Sequence, residues 1–259
     1  MTDLPHLAVE RRGAVTLVRL DRPTKRNAVN DALLQSLETF FADPPAGTRA
    51  VVLHGAGDHF CAGLDLSEHR ARDAVAVLQH SRWWHRVFER IQYGAVPVVA
   101  AMHGAVIGGG LELAAATHVR VAEPSTFYAL PEGQRGIFVG GGATVRVARL
   151  IGTGRMVAMM LTGQVYAAEE GQRLGLSHHL VGAGEALPRA LELAETIADN
   201  AALTNYAVLH AIGRIADMSA SDGLFTESLM AALVQTGPEA QERLQAFLEK
   251  RQAPTKPPR

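Results

Sequence analysis

Two glutamates in glycine-rich segments are the residues of this 259-residue chain whose type and setting best suit chemistry. Glu112 comes two positions after Gly110, the last of three consecutive glycines, and Glu132 lies between Pro131 and Gly133. Two carboxyl groups on neighbouring loops can hold one water molecule or divide the roles of general acid and general base. The sequence therefore predicts a site at which the chain moves protons.

The residues before Glu112 favour a site for developing negative charge. The apolar run from Pro97 predicts one buried strand, which ends in the glycines and is followed by a helix over 111–117. Backbone N–H groups at the start of a helix have no intrahelical acceptor and attract anions. A second loop, over 60–65, contains small residues that let its backbone approach a ligand closely. We therefore expect an oxyanion to be stabilised beside Glu112.

The elements that must position these residues alternate between strands and helices over the first two-thirds of the chain. Apolar runs and turn signals predict strands at 7–11, 15–20, 50–54, 118–122, 126–128 and 176–181, and helices at 30–41, 71–91, 144–150, 156–161 and 168–174. Asn30 is the expected N-cap of the first helix. The predicted fold class is therefore α/β, with the core and the site in residues 1–184.

The strand patterns stop near residue 185, and only helical patterns follow. Helical runs are predicted at 186–199, 202–217, 222–236 and 238–251. Residues 185–251 are therefore predicted to form a separate all-helical region. Residues 252–259 contain several prolines and are predicted to be a loose tail.

Composition and charge exclude several classes of protein. The formal net charge is −1, so bulk charge indicates neither a nucleic acid nor an anionic membrane as partner. The single cysteine, Cys61, excludes an internal disulfide framework and fits a reducing compartment. No apolar run resembles a secretory signal or a membrane span, so the expected location is the cytoplasm. Dinucleotide-binding, P-loop and metal-ligand motifs are absent from the sequence.

Four motifs occur together along almost the whole chain. They are Arg22-Pro23 with Arg26-Asn27-Ala28, Phe60-x-Ala62-Gly63-x-Asp65, His103-Gly104 with Gly108-Gly109-Gly110-x-Glu112-Leu113, and Pro131-Glu132 with Gly140-Gly141-Gly142. In this order and spacing they resemble the crotonase family, the enoyl-CoA hydratase/isomerase superfamily. The resemblance implies a crotonase-like spiral of ββα units. It also implies that the C-terminal helices serve oligomerisation, as a homotrimer or as a hexamer built from two trimers.

The substrate implied by the resemblance is an acyl-CoA thioester. Coenzyme A would be part of the substrate, and neither a further cofactor nor a metal would be needed. The thioester carbonyl is expected between the backbone N–H groups of Leu64 and Gly109, where an enolate-like oxyanion develops. This agrees with the anion site indicated by the residues, and the loss of one such donor typically costs on the order of 3 kcal/mol.

The resemblance also implies a reaction for the two glutamates. Glu112 matches the family residue that activates the attacking water, and Glu132 matches the one that gives a proton to the α-carbon. Hydration of a trans-2-enoyl-CoA to a 3-hydroxyacyl-CoA is therefore predicted. The alternatives are a double-bond isomerase, a hydrolase or a decarboxylase of an acyl-CoA, and a non-catalytic acyl-CoA binder. Dienoyl-CoA isomerases carry a further acid at the position of Gly140, which argues against them.

Contacts to coenzyme A are predicted around the first two motifs, at Lys25, Arg26, Ala28, Ala62, Asp65 and Leu66. Lys250 or Arg251 is expected to reach a phosphate of coenzyme A bound to a neighbouring chain. The sequence departs from the family at two places. No lysine follows closely after Asp65, and Val139 replaces a proline that often precedes the glycine triplet.

Some of these residues also have a structural interpretation. Asp65 is expected to cap the next turn or to bind amides of its own loop. Trp83 and Trp84 are expected in the core or in an interface rather than as walls of an acyl pocket. Cys61 is expected to be a packing residue, because no lysine or arginine is close to it in the sequence to lower its pKa.

Overall fold

The computed structural model describes residues 4–68 and 72–249 of the chain. These residues fall into two compact units, the first reaching to Ala198 and the second beginning at Asp199. The first unit contains both β-sheets and all of the predicted site residues between 25 and 132.

Two β-sheets form the frame of the first unit. The strands are β1 (Leu7–Arg12), β2 (Val15–Leu20), β3 (Ala50–Gly55), β4 (Val98–Met102), β5 (Ala105–Ile107), β6 (Val119–Ala122), β7 (Phe127–Ala129), β8 (Tyr166–Ala167) and β9 (His179–Leu180). One sheet has the order β1-β2-β3-β4-β6-β9, and the other has the order β5-β7-β8. The antiparallel hairpin β1–β2, in which Leu7 pairs with Leu20, confirms the prediction, and the other neighbours in the larger sheet are parallel.

Helices connect these strands. They are α1 (Asp31–Ala42), α2 (Ala74–Gln92), α3 (Gly109–Ala115), α4 (Ala143–Ile151), α5 (Thr153–Thr162), α6 (Ala168–Leu174) and α7 (Ala186–Asp199), with short 3-10 turns at Pro23–Lys25, Leu66–Glu68 and Pro131–Arg135. Asn30 caps α1 as predicted, because its side chain accepts a hydrogen bond from the Leu33 amide at 3.0 Å. The alternation of strands and helices confirms the α/β class.

Helix α7 packs on the larger sheet through its alanines. Ala186, Ala190, Ala194 and Ala198 are buried in one apolar cluster with Val15, Leu17, Val52 and Val99 of the strands. Side chains this small let a helix approach a sheet closely. The first compact unit therefore extends one helix beyond residue 184, where the sequence placed the end of the core.

The apolar run before the first glycine cluster forms two strands, so the prediction of a single strand was wrong. β4 ends at Met102, and β5 begins at Ala105 in the other sheet. Between them Gly104 has a φ of +54°, and a Cβ at this position would collide with the Asp58 carbonyl oxygen. The chain turns here because only glycine combines this backbone conformation with this close contact.

The second unit consists of α8 (Ala202–Ile215), α9 (Ala220–Gln235) and α10 (Pro238–Leu248). Helices α8 and α9 pack together. Large apolar side chains of α9 stay exposed in the chain, namely Leu224, Phe225, Leu229 and Leu233. Exposed apolar side chains are compatible with an oligomer contact, and the role of residues 185–251 in trimerisation stays a prediction. Lys250, Arg251 and the predicted tail at 252–259 lie outside the described residues.

None of the described helices combines the length and the hydropathy needed to cross a bilayer. Helix α2 has 19 residues, but it carries Arg82, Arg86, Glu89 and Arg90. The location in the cytoplasm stays a prediction.

Replacing Gly104 by alanine tests the turn between β4 and β5. Gly104→Ala is expected to lower the free energy of unfolding by more than about 2 kcal/mol, because it adds a collision with Asp58 to an unfavourable φ. Gly13→Ala is the matched control, since Gly13 has a φ of +60° but nothing within 4 Å of an added Cβ. Urea unfolding measures both variants, and equal losses would contradict the steric explanation.

Candidate active site

A cavity of about 730 Å³ is the feature around which the predicted site residues gather. Its walls include Leu64, Asp65, Leu66, Gly109, Glu112 and Glu132, all of which the sequence predicted as site residues. Apolar wall residues come from α2 and from the segment that follows Glu132, namely Val77, Trp84, Ile137, Phe138 and Val139. The predicted contacts Lys25, Arg26, Ala28 and Ala62 are not among the lining residues.

The loop over residues 60–65 lies against β5 and the start of α3 through backbone contacts. The Cys61 amide donates to the Ala105 carbonyl at 2.9 Å, and the Ile107 amide donates to the Cys61 carbonyl at 3.1 Å. A Cβ on Gly110 would collide with the Cys61 carbonyl oxygen. Only glycine at this position permits so close an approach of two backbones.

This approach brings the backbone amides of Leu64 and Gly109 together. The Leu64 nitrogen lies 3.4 Å from the place of a Cβ built on Gly109, and a Cβ on Gly63 would lie 3.0 Å from the Gly109 nitrogen. Within residues 4–68 and 72–249, no group accepts a hydrogen bond from either amide. Two neighbouring donors on a cavity wall are able to bind one oxyanion.

The indole of Trp84 covers Gly109 on the wall of the cavity. Its Cζ3 and Cη2 atoms lie 2.7 and 3.0 Å from the place of a Gly109 Cβ. The ring meets Phe88 edge to face, with centroids 5.4 Å apart. Trp84 is only 5% exposed, so it is a core residue, as expected, and at the same time a cavity wall, which the sequence interpretation disfavoured.

Glu112 lies in the first turn of α3 and is 3% exposed. Its Oε1 accepts hydrogen bonds from the amides of Gly141 at 2.8 Å and Ala143 at 2.9 Å. Burial raises the pKa of Glu112 to about 7, although these two amides favour the ionised form, and the nearby Glu132 carboxyl adds to the rise. The group therefore exchanges protons near neutral pH.

Glu132 lies in the 3-10 turn that follows β7 and is 7% exposed. Burial raises the pKa of this carboxyl, while the neighbouring Arg135 opposes the rise. Its Oε1 lies 2.7 Å from the place of a Cβ on Gly108. Its buried Oε2 has no hydrogen-bond partner in the described part of the chain. A buried carboxyl oxygen without a partner is suited to bind a water molecule or a substrate group in the cavity.

Comparison with known proteins identifies the family to which the chain belongs. A family model described as enoyl-CoA hydratase/isomerase matches residues 10–257. The chain belongs to the enoyl-CoA hydratase/isomerase family. This confirms the crotonase resemblance of the four motifs, and with it an acyl-CoA thioester as the class of substrate.

Relatives of known structure or name cover nearly the whole chain. A crystal structure from Rhodopseudomonas palustris CGA009, provisionally named enoyl-CoA hydratase, is 56% identical, covers 97% of both chains and has a TM-score of 0.94. A Bacillus subtilis (strain 168) protein, provisionally named enoyl-CoA hydratase/isomerase YngF, is 34% identical over 92% of this chain and 93% of its own. The 2,3-dehydroadipyl-CoA hydratase of Escherichia coli (strain K12) is 32% identical over 96% and 97%. These matches confirm the crotonase fold.

In this member of the family, Asp65 is bound to its own loop. Its Oδ1 accepts hydrogen bonds from the Ser67 amide at 3.0 Å and the Ser67 hydroxyl at 2.6 Å, and its Oδ2 lies 2.9 Å from Arg22 Nη2. Burial alone would raise the pKa of Asp65, but these hydrogen bonds and the guanidinium outweigh burial and lower it. The structural interpretation of Asp65 is thus confirmed.

The remaining predicted coenzyme A contacts lie next to that loop. Lys25 is exposed and donates to the Ser67 hydroxyl at 3.1 Å, and the Ala62 amide donates to the Arg26 carbonyl at 3.0 Å. Ala28 is buried. The structure thus groups the residues without placing them on the cavity wall, and their role in binding stays a prediction.

The sequence analysis missed a polar cluster on the cavity wall, formed by Asp31, Arg72 and His80. His80 Nε2 lies 2.8 Å from Asp31 Oδ1, and Arg72 donates to Asp31 Oδ2 at 3.1 Å. These partners are 49 and 41 positions apart in the chain, so no local pattern could have grouped them. The helical spacing of His80 and Trp84 on α2 was the only signal that pointed to this wall.

Neither a cluster of metal-ligating side chains nor an exposed thiol occurs in the part of the chain that the structure describes. Among the described residues, no group of three or more histidine, cysteine, aspartate or glutamate side chains is placed so that it could hold a metal ion. Cys61 is buried, and burial raises the pKa of its thiol to about 12, which fits the predicted packing role. That the reaction needs no cofactor stays a prediction.

The burial of Glu112 predicts how stability depends on pH. A carboxyl whose pKa is raised in the folded state stabilises the protein fully below its unfolded pKa, and this stability is lost as the pH rises through its folded pKa. The wild type should therefore lose up to about 3 kcal/mol of unfolding free energy between pH 4.5 and pH 8 through Glu112. Glu112→Gln has no carboxyl to ionise at this position, so its stability relative to the wild type is expected to rise by the same amount over this range.

Urea unfolding at one protein concentration and several pH values measures this gain. The matched control is Glu169→Gln, which removes an exposed carboxyl from α6 and should not show this gain. A constant difference between Glu112→Gln and the wild type over this range would show that Glu112 ionises normally.

Proposed function

We propose that this chain adds water to the double bond of a trans-2-enoyl-CoA and forms a 3-hydroxyacyl-CoA. The observation that carries the proposal is the pair of buried carboxyl groups, Glu112 and Glu132, on the cavity wall that also includes Leu64 and Gly109. Hydration needs one group that accepts a proton from water and another that supplies a proton to carbon. The two glutamates meet both requirements.

The amides of Leu64 and Gly109 are proposed to bind the thioester oxygen. When the water oxygen bonds to C3, the electrons of the double bond move toward the thioester, and a negative charge grows on its oxygen. Donors that meet this oxygen stabilise the charge that exists only during the reaction, which accelerates the chemical step. Leucine and glycine have no polar side chain, so any donor at these two positions must be the backbone amide.

The two glutamates are proposed to exchange one proton each. Glu112 takes a proton from water as the new O–C3 bond forms, and Glu132 gives its proton to C2, so that the elements of one water molecule are added. After the reaction Glu112 carries the proton taken from water and Glu132 is ionised. Proton exchange with solvent returns Glu112 to its ionised form and Glu132 to its protonated form. Burial raises the pKa of both groups, which favours a pair that holds a single proton.

Coenzyme A is proposed to follow the segments over 25–28 and 62–66. Lys25 and Arg26 are exposed cations that suit its phosphates. Leu66 and Asp65 lie on the cavity wall at the end of this path. The apolar residues of α2 and of the segment 137–139 would then receive the acyl chain. Assembly as a homotrimer or hexamer and location in the cytoplasm remain part of this proposal.

Isomerisation of a double bond is the second candidate, because the name of the Bacillus subtilis relative includes both activities. The same pair of carboxyls is able to move a proton between C2 and C4 of an acyl chain. Products formed in heavy-oxygen water separate the two reactions. Hydration places the heavy oxygen on C3, whereas isomerisation incorporates none.

Hydration is tested with trans-2-enoyl-CoAs of different length and branching, by the loss of the absorbance of the conjugated thioester. Glu112→Gln and Glu132→Gln are each expected to lower kcat by about 10²- to 10⁴-fold, because each removes one proton-transfer step. KM should change little, since neither carboxyl is proposed to hold coenzyme A. The wild-type kcat/KM should follow a bell-shaped pH profile, whose acidic limb lies near pH 7, where Glu112 loses its proton and becomes able to take one from water.

The control for these variants is again Glu169→Gln, which should keep the wild-type rate because its carboxyl is exposed on α6. Failure of the wild type to hydrate any member of the panel would overturn the proposal. An active Glu132→Gln variant would remove Glu132 from the mechanism and leave hydration without its proposed acid.

A further inference from the structure

The glycine turn that binds Glu112 is itself held from two helices. The Ser81 hydroxyl, on α2, donates to the Gly140 carbonyl at 2.7 Å. Arg146 Nη1, on α4, donates to the Gly141 carbonyl at 3.0 Å. Since the Gly141 amide is one of the two donors to Glu112 Oε1, the position of this turn determines the orientation of the Glu112 carboxyl.

The guanidinium of Arg146 is fixed rather than mobile. Arg146 is 9% exposed, and its Nε donates to the Gln92 side-chain oxygen at 2.7 Å. A Cβ on Gly142 would collide with Arg146 Nη1, so glycine is needed here for the guanidinium to reach the turn. Gln92, Arg146, Gly141 and Glu112 thus form a continuous chain of hydrogen bonds from the end of α2 to the cavity.

Arg146 is also a positive charge close to Glu112. Against the effect of burial, the two amides and Arg146 favour the ionised carboxyl, while Glu132 disfavours it. Four other titratable groups also interact with Arg146. His85 and Glu89 lie on α2, Tyr93 lies at the C-terminal end of α2, and Arg149 lies on α4. Of the charged groups that act on Glu112, Arg146 is the one whose hydrogen bonds also reach it through the glycine turn.

We propose that Arg146 is a positioning residue for the reaction at Glu112, because it fixes the glycine turn that orients this carboxyl and offsets the negative charge of its ionised form. The inference rests on the proposed function only in assigning Glu112 a proton transfer. The hydrogen bonds and the charge are independent of the reaction. Arg146 itself does not line the cavity, so it acts through Glu112 and the turn rather than on the substrate.

The test compares Arg146→Met, Arg146→Lys and Arg149→Met, the last of which removes an exposed guanidinium from the same helix. Arg146→Met is expected to lower kcat by at least about tenfold with KM nearly unchanged, and to move the acidic limb of the pH profile, which reports Glu112, up by about one unit. Arg146→Lys should return this limb to its wild-type pH and recover part of kcat, since lysine keeps the positive charge but has fewer hydrogen-bond donors. Arg149→Met should resemble the wild type.

Gln92→Ala separates geometry from charge. It removes the anchor of the guanidinium but keeps the positive charge, so kcat should fall several-fold while the limb of the pH profile stays in place. If Arg146→Met does not fold, Gln92→Ala and Arg146→Lys carry the test. Wild-type kcat in both of them would overturn the positioning role.

Infrared spectra test the role of Arg146 independently of the proposed function, because they report the ionisation of a carboxyl group without any reaction. The carboxyl band that is present in the wild type and absent in Glu112→Gln reports the ionisation of Glu112 without any turnover. An upward shift of its titration in Arg146→Met, reversed in Arg146→Lys, would support the role of Arg146 even if no enoyl-CoA were hydrated. An unshifted titration together with an unshifted pH profile would overturn it even in an active hydratase.

Discussion

The site depends on the contact between two backbone segments, the loop over 60–65 and the chain from β5 into α3. Glycines at 63, 109 and 110 remove the side chains that would hold these segments apart. The break at Gly104 is part of the same constraint, because β5 must leave the larger sheet to run beside Cys61. The oxyanion donors of the proposed hydratase are therefore a product of backbone packing, and no single polar side chain creates them.

Sheet register carries this arrangement to the two carboxyls. β5 pairs with β7 in parallel, with Ile107 opposite Ala129, and the Gly108 amide extends the pairing to the Ala129 carbonyl at 2.9 Å. Glu112 and Glu132 each follow one of these two strands by a few residues. Two strands that end side by side deliver the elements after them to the same edge, so both carboxyls reach one cavity although 20 positions separate them in the chain.

Sequence patterns predicted the features that local interactions determine. The hairpin, the Asn30 cap and most helices are of this kind, whereas the pairing of the Leu64 and Gly109 amides was expected from the family resemblance. The split of the apolar run at Gly104 was missed because the collision with Asp58 is a tertiary contact. Trp84 as a wall, the cluster of Asp31 with His80, and the link from Arg146 to Glu112 were missed for the same reason, since each depends on the packing of one element against another.

Burial of the two glutamates links acid–base chemistry to substrate recognition. An apolar wall that suits an acyl chain also withdraws water from Glu112 and Glu132, and this withdrawal raises the pKa of both. An acyl chain that displaces the remaining water must raise both pKa values further, unless fixed donors compensate. The amides of Gly141 and Ala143 and the charge of Arg146 provide that compensation for Glu112, whereas Oε2 of Glu132 is left without a described donor. This asymmetry favours the ionised form at Glu112 and the protonated form at Glu132 once substrate is bound, as hydration requires.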